Sequence, residues 1–579
     1  MTSVVEAPLA HPICPAKQGA RRHYGSHPYF TKRAWNVVQA YIEHFSSPGD
    51  TVLDPFGGSG VTAVEALVLG RKAVYVDISD WACFLARQTA VAPVDIAGLQ
   101  EAFGEVEDQC RAFLEKVWTT SNKELADRPI EDWYPRDVAL PRSADVERVE
   151  DLFTPRMLHG LARLRAVIMK VRDRAVRDLL LLAFSSTLAR INRTFISTKN
   201  RRESRGGSAI FSIYRYKVAK NAVELPLWEQ FVQRFRRLVE AKRETNRVIS
   251  NFYRDGDTAI FCQGSATRLD DWLKPGSVDY IYTDPPYGGH IAYLDLSTMW
   301  AAWLGFPIRA KDRADEVIEG GELKKTRDDY HQRLSQSLRQ MHETLKSGKW
   351  LSIVFAHRDT AYWESLVDAC RTAGFNYVNT VVQPVGVVWS MHKKKNPLRV
   401  LSGELVLNFR KGARPVPVNG QIPKSDALTV VTDCCEREII HCCGATTEDL
   451  HHAVVPRLLE TGLLTSFSQQ WGDLTPLLEK IFEFESETAR WHLRPGTEVR
   501  AKITRRAVIR YAVLRHLNAC QRVDRPTTEA ETCAKVRSLL PGKKSDTALI
   551  RSILSELGFS GDIGQRKKVN RRLAELSLF

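Results

Sequence analysis

Residues 51–79 read TVLDPFGGSGVTAVEALVLGRKAVYVDIS. Thr51-Val52-Leu53 is a short run of β-formers, and Asp54-Pro55-Phe56-Gly57-Gly58-Ser59-Gly60 is a glycine-rich turn. Val61 to Leu69 carries helical spacing, Gly70 is its stop, and Ala73 to Val76 is a second strand with Asp77 at its tip. The unit is strand, turn, helix, strand and acid, which predicts an α/β sheet. Glycines let the backbone approach a ligand closely, and the helix N-terminus adds a partial positive charge. Asp77 is placed to accept hydrogen bonds from ribose hydroxyls.

A dinucleotide site is the competing reading of such a turn. The glycine spacing is not G-x-G-x-x-G, and Asp54 would set a negative charge against a pyrophosphate. An acid at that position suits a ligand carrying an ammonium group, such as the methionyl end of S-adenosylmethionine.

A second stretch, SVDYIYTDPPYGG at 277–289, has the same architecture at its start. Ser277 to Thr283 reads as a buried strand that stops at Pro285-Pro286. Two consecutive prolines fix φ and remove two backbone donors, so a stiff turn presents Asp284, a rigid carbonyl and Tyr287 at a strand's carboxyl end. In open α/β sheets ligands bind at that edge.

The chain has 579 residues, enough for three or four domains, and 44% of them are hydrophobic. The formal net charge of +15 suggests a polyanionic partner. No uncharged apolar run is long enough to span a membrane, and the first residues lack the pattern of a secretory signal. Eleven cysteines without such a signal point to reduced thiols and a cytoplasmic protein.

The pairing of DPFGGSG with the later DPPYGG resembles the S-adenosylmethionine-dependent amino-methyltransferases of DNA, over residues 27–90 and roughly 255–410. The resemblance implies a Rossmann-like class I methyltransferase sheet, with S-adenosyl-L-methionine as cofactor and DNA as partner. Asp54, Phe56, Gly57, Gly58 and Gly60 match the family's cofactor loop, and Asp77 its ribose-binding acid. His27, with Pro28, resembles the segment that closes over the methionine end. Ser265 stands where the family often has an acid near the adenine ring, which makes any contact there neutral. Asp284, Pro285, Pro286 and Tyr287 match the catalytic tetrapeptide. In it the acid and the Pro285 carbonyl accept the two N–H bonds of an exocyclic amine, and the tyrosine stacks on the base. A base leaves the duplex to reach such a site.

The resemblance implies a site-specific DNA methyltransferase. Aspartate at the head of the tetrapeptide favours adenine N6; cytosine N4, an RNA guanine-N2 target and a non-catalytic DNA-binding subunit are the alternatives. A restriction or defence-system partner is the expected company. The expected domains are 1–98, the N-terminal segment and cofactor half; 99–250, a helical insert for target recognition; 251–412, the catalytic half; and 413–579, a separate basic C-terminal domain.

Within the insert, 99–118, 145–195 and 226–250 read as helices. The stretch NRTFISTKNRRESRGGSAIFSIYRYK mixes cations with aromatics, and Arg201, Arg202, Arg205 and Arg215 are the candidates for DNA contact. Residues 306–329 are charged and read as a loop over the site; His357, after the strand 350–355, reads as a loop histidine, with a place near the base pocket as the alternative. HKKKNP, between the last two strands, reads as an exposed basic tip. The doublets Cys434-Cys435 and Cys442-Cys443 lack zinc-knuckle spacing and read as a strand with buried thiols.

Overall fold

The computed structural model describes residues 7–196, 207–219, 223–384, 403–412, 426–540 and 546–559. The chain divides into two compact units. One comprises Met1–Ala356, Ser365–Lys394 and Glu404–Pro417; the other comprises His357–Glu364, Lys395–Gly403 and Val418–Phe579.

The first unit is built on a seven-stranded sheet. Its strands are β1 (Thr51–Asp54), β2 (Lys72–Asp77), β3 (Ala259–Gln263), β4 (Val278–Thr283), β5 (Leu345–Phe355), β6 (Phe375–Gln383) and β7 (Glu404–Lys411). Their order across the sheet is β3-β2-β1-β4-β5-β7-β6. β3, β2, β1, β4 and β5 run parallel, and β7 pairs antiparallel with both β5 and β6. The chain steps from β1 out to β3 and then returns to lay β4 against the other side of β1, with Leu53 opposite Ile281. The β1–β4 boundary is therefore the topological switch point, where a crevice opens at the strands' carboxyl ends. The fold is a Rossmann-like α/β sheet.

β4 is buried along its whole length, as expected of a parallel strand covered on both faces. Helix α1 (Trp35–Phe45) covers one face: Tyr41 meets Tyr282 at 5.6 Å, and Phe45 meets Tyr280 at 5.2 Å and Trp350 at 5.0 Å. Each such ring contributes about 2–3 kcal/mol through burial. Helices α2 (Val61–Val68) and α3 (Asp80–Ala90) follow β1 and β2.

Between β2 and β3 lie the helices Ile96–Thr119, Pro155–Ile168, Arg174–Leu188 and Leu227–Ile249. The run expected over 145–195 is two helices, because Asp173 caps a new start by accepting from the amides of Ala175 and Val176. Leu161, Phe184 and Phe231 of this insert share one apolar cluster with Trp300 and Trp303 of the helix Tyr293–Leu304. Trp300 Nε1 donates to the Ser185 carbonyl at 3.1 Å. The insert thus shares a core with the helix that follows the tetrapeptide.

The segment 306–329 differs from the loop expected there. It contains the helix Ala310–Asp315, and Val317, Ile318, Glu316 and Lys325 are buried. Apolar Val317-Ile318 anchors a charged stretch that composition alone marks as loop.

The second unit holds the helices Ala427–His441, Thr447–Thr461, Leu464–Trp471 and Leu474–Ile481, a hairpin of Phe482–Glu485 with Arg490–Leu493, and the helices Arg505–Arg522, Glu529–Leu539 and Asp546–Glu556. Cys434 and Cys435 lie in the first of these helices rather than in a strand. The helix's buried stripe, Val431, Cys435 and Ile439, has a four-residue period that the doublet obscured. All eleven cysteines are free. Among the described residues no helix is long and apolar enough to cross a membrane, and no cluster of metal-binding side chains occurs.

Candidate active site

Asp54 ends β1 at the switch point and is 5% exposed. Its Oδ1 accepts from Thr283 Oγ1 at 2.9 Å and from the Phe56 amide at 3.2 Å. The turn then folds back over β2. The Gly57 amide donates to the Val76 carbonyl at 3.0 Å, and Tyr75 Oη donates to the Gly58 carbonyl at 2.8 Å. A Cβ on Gly57 would lie 2.2 Å from the Tyr75 ring, so only glycine lets the loop lie this close. Gly60 takes φ +79°, and a Cβ there would lie 2.7 Å from Ala86 Cβ, where α2 crosses α3.

Asp77 ends β2 and holds the same loop. Its Oδ2 accepts from the Gly58 amide at 2.8 Å and its Oδ1 from the Ser79 amide at 2.9 Å. Each oxygen keeps a further lone pair for a hydroxyl donor.

Asp284 follows the end of β4. Its Oδ1 accepts from Tyr287 Oη at 2.6 Å and its Oδ2 from Arg33 Nε at 2.6 Å. Arg33 also donates through Nη2 to Tyr287 Oη at 2.6 Å and pairs with Glu404 at the start of β7. The Pro286 carbonyl accepts from Tyr330 Oη at 2.7 Å, which fixes the double-proline turn on the helix Arg327–Thr344. The Tyr287 ring meets Phe355 edge-on at 5.0 Å.

One cleft of about 820 Å³, its open mouth included, joins these parts. Asp54, Phe56, Gly57, Gly58, Asp77, Ser265, Asp284 and Pro286 all line it. Its lining includes five acids (Asp54, Asp77, Asp284, Asp315 and Glu316) and a single cation, Arg33. Burial pushes Asp54 up to about 7, against hydrogen bonds from Thr62, Thr283 and the Phe56 amide. Burial likewise raises Asp77 to about 6, against the Ser79 and Gly58 amides. The Asp284 carboxyl is raised by burial, while the Arg33 guanidinium opposes the shift. An acidic cleft of this kind selects cationic ligands and rejects a pyrophosphate.

Residues 12–88, which hold α1, the glycine turn, β2 and most of α3, match the family model described as DNA methylase. Over these residues the chain is similar to the DNA methylase family. Among curated relatives, the type II methyltransferase M.MvaI of Kocuria varians is 23% identical over 279 residues, 47% of this chain and 55% of that one. The type II methyltransferase M.MjaII of Methanocaldococcus jannaschii is 26% identical over 125 residues, 22% of this chain and 23% of its own. The matches thus span about half the length of the first methylase and a quarter of the second. Among solved structures, the rRNA methyltransferase aviRa of Streptomyces viridochromogenes is 9% identical, with 66% of this chain and 86% of that one covered and a TM-score of 0.22. That likeness is too low to bear on fold or substrate.

Other candidate residues fall outside the cleft. His27 is 1% exposed; its Nε2 is 2.9 Å from Ser185 Oγ and its Nδ1 is 2.6 Å from the Pro28 carbonyl. It packs behind the wall, and its neighbour Tyr29 forms the lining instead. Tyr29 stacks on Trp81 at 5.4 Å, and Thr31 Oγ1 is 3.1 Å from Tyr293 Oη. Pro285 is buried in the turn, and Gly60 serves helix packing. Arg215 is engaged by Asp145 and the Ser143 carbonyl. His357 packs against the Tyr362 ring at 3.8 Å, tilted by 33°, in the second unit. Arg201, Arg202, Arg205 and the HKKKNP tip lie outside the described residues. The sequence reading missed Arg33, Thr283 and Glu404; Arg33 alone carried a signal, as the last residue of HPYFTKR at the edge of the family-like segment.

Proposed function

We propose that this chain transfers a methyl group from S-adenosyl-L-methionine to the exocyclic amine of a base in DNA, with adenine N6 as the target. The observation that carries the reading is that Asp54 and Asp284, from two motifs 230 positions apart in sequence, line one acidic cleft at the switch point.

The cleft's donor set fits the cofactor. Asp54 suits the ammonium of its methionyl end, and the spare lone pairs of Asp77 suit ribose hydroxyls. The space over Gly57 and Gly58, which a side chain would fill, suits close backbone approach. Ser265, 2% exposed on the lining, stands by as a neutral group. When bound, the cofactor supplies an electrophilic methyl group on a sulfonium.

The chain's own part is positioning. An aromatic amine has its lone pair delocalised into the ring and is a poor nucleophile. Asp284 and the Pro285 carbonyl accept its N–H bonds and direct the lone pair towards the cofactor end of the cleft. Tyr287, which stands off the cleft lining with its hydroxyl on Asp284, is the proposed stacking partner of the base. The proline pair and the Tyr330 bond keep the acceptors rigid. The insert at 99–250 is the proposed reader of the target sequence, the basic residues beyond 413 a second DNA contact, and a restriction or defence system the proposed partner. The free thiols suit a reducing, cytoplasmic setting.

The test is incubation with labelled S-adenosylmethionine and unmethylated DNA or RNA, followed by digestion to nucleosides and identification of the methylated base by mass. N6-methyladenine is expected. N4-methylcytosine or a methylated guanine would move the target, and no label in any nucleic acid would sink the reading.

A further inference from the structure

Both oxygens of the Asp284 carboxylate are engaged within the protein. Tyr287 Oη donates to Oδ1 at 2.6 Å, and Arg33 Nε donates to Oδ2 at 2.6 Å. The guanidinium reaches further, with Nη2 on Tyr287 Oη at 2.6 Å and Nη1 paired with Glu404. It bridges the end of β4 to the start of β7, and the side chains of Arg33, Asp284 and Glu404 are 17%, 18% and 24% exposed. Arg33 belongs to neither strand; it comes from the extended segment ahead of α1.

A guanidinium is a planar, conjugated group whose N–H bonds lie in its own plane. The exocyclic amino group of a base is likewise planar and conjugated, with two N–H donors in its plane, although the ring nitrogen beside it is an acceptor. Arg33 therefore holds Asp284 through the contact that a substrate amine requires. Glu404 matters because a cation expelled from Asp284 without a second carboxylate would be left unpaired in a partly buried site. With Glu404 beside it, the guanidinium can leave one acid and stay on another.

We infer that Arg33 is an intramolecular stand-in for the substrate amine, seated on Asp284 in the empty-handed enzyme and passed to Glu404 as the base enters. The identity of the amine rests on the methyl-transfer reading; the competition for Asp284 does not. The device keeps the acidic turn paired between substrates and makes base entry an exchange of donors on one carboxylate. Arg33 is thus a positioning residue.

The test titrates deoxyadenosine and deoxycytidine calorimetrically into wild type, Arg33→Gln, Glu404→Gln and the double variant. It is run at pH 8 with the cofactor product S-adenosylhomocysteine present, whose own affinity reports that each variant is folded. Arg33→Gln should bind one nucleoside about tenfold more tightly than wild type, since a charge-assisted competitor is gone. Glu404→Gln should bind it more weakly, because the guanidinium has lost its second seat, and the double variant should match Arg33→Gln. A permanent brace gives the opposite order, with Arg33→Gln equal to or weaker than wild type, and that result overturns the inference. A wild type that labels DNA while Arg33→Gln gains no affinity leaves the methyltransferase reading standing and removes the exchange. A gain in Arg33→Gln from a protein that labels no nucleic acid does the reverse.

Discussion

Thr283 Oγ1 donates a 2.9 Å hydrogen bond to Asp54 Oδ1, so the last residue of the catalytic strand holds the acid of the glycine loop. The two are 229 positions apart in the chain and meet because β1 and β4 are neighbours at the switch point. Thr283→Val keeps the shape and removes the donor. The bond opposes the burial that raises Asp54, so its loss should push the carboxyl further towards the neutral form. Cofactor affinity at pH 7 should fall by about fivefold, the worth of roughly 1 kcal/mol of hydrogen bonding. Calorimetric titration with S-adenosylmethionine checks it, and unchanged affinity would disconnect Asp54 from the ligand's ammonium.

The same carboxyl makes binding depend on pH. Asp54 is raised to about 7 by burial, and Asp77 to about 6. A cationic ligand prefers both ionised, so binding at pH 6 should release protons and affinity should climb with pH, levelling off above about 7.5. Titration at pH 6 in two buffers of different ionisation enthalpy measures the release directly. Asp54→Asn should abolish most of it. The ligand-free protein should show the opposite trend in stability. Between the usual carboxylate range and the folded values, the native state holds more protons than the unfolded chain. These two groups therefore favour the fold at low pH, and that contribution is lost as pH rises through 6 to 7.

Gly57 and Gly60 are required for different reasons. Alanine at 57 would drive its Cβ into the Tyr75 ring at 2.2 Å, and that ring is fully buried and bonded to the loop it supports. Alanine at 60 would combine a left-handed φ of +79° with a 2.7 Å approach to Ala86. Each should cost about 1–3 kcal/mol of stability. Gly57→Ala should also weaken the cofactor beyond detection, since Tyr75 anchors the Gly58 carbonyl at the cleft. Gly60→Ala should retain measurable binding in whatever fraction stays folded. Thermal unfolding, with and without cofactor, separates the two effects.

What could be read from the sequence was local. The strand, glycine turn, helix and acid of residues 51–79 declare themselves because each is written in consecutive residues, and they match the observed β1, α2 and β2 closely. Thr283 and Glu404 were not legible as site residues, and Arg33 only through its segment, because their roles arise from contacts across 229, 251 and 371 positions that no periodicity encodes. His27 was misplaced for the converse reason. The motif marks the right segment, but the chain bends at Ser26-His27 after the 3-10 turn Arg22–Gly25, so His27 turns to Ser185 while Tyr29, Thr31 and Arg33, on one face of the extended backbone that follows, line the cleft. Segment 306–329 was misread because its charges are paired rather than solvated: Arg309 with Asp312 inside the segment and with Asp80 beyond it, and Arg313 with Asp295 of the preceding helix.

Asp77 and Asp284 should fail in opposite ways. Asp284→Asn keeps a carbonyl acceptor but loses the charge and one acceptor, and it leaves Arg33 to Glu404 alone. The loop of Asp54, Gly57 and Gly58 is held by Thr283, Val76, Tyr75 and Asp77, none of which the change touches. Methyl transfer should therefore drop by at least about a hundredfold, with cofactor affinity within about twofold of wild type. Asp77→Ala removes the acceptor of the Gly58 and Ser79 amides together with the ribose contact, so cofactor affinity should fall by about a hundredfold. Deoxyadenosine binding at the tetrapeptide should survive it. A variant at Asp284 that loses the cofactor as well would mean that the two motifs form one inseparable site, and the division of labour between cofactor loop and amine acceptor would have to be abandoned.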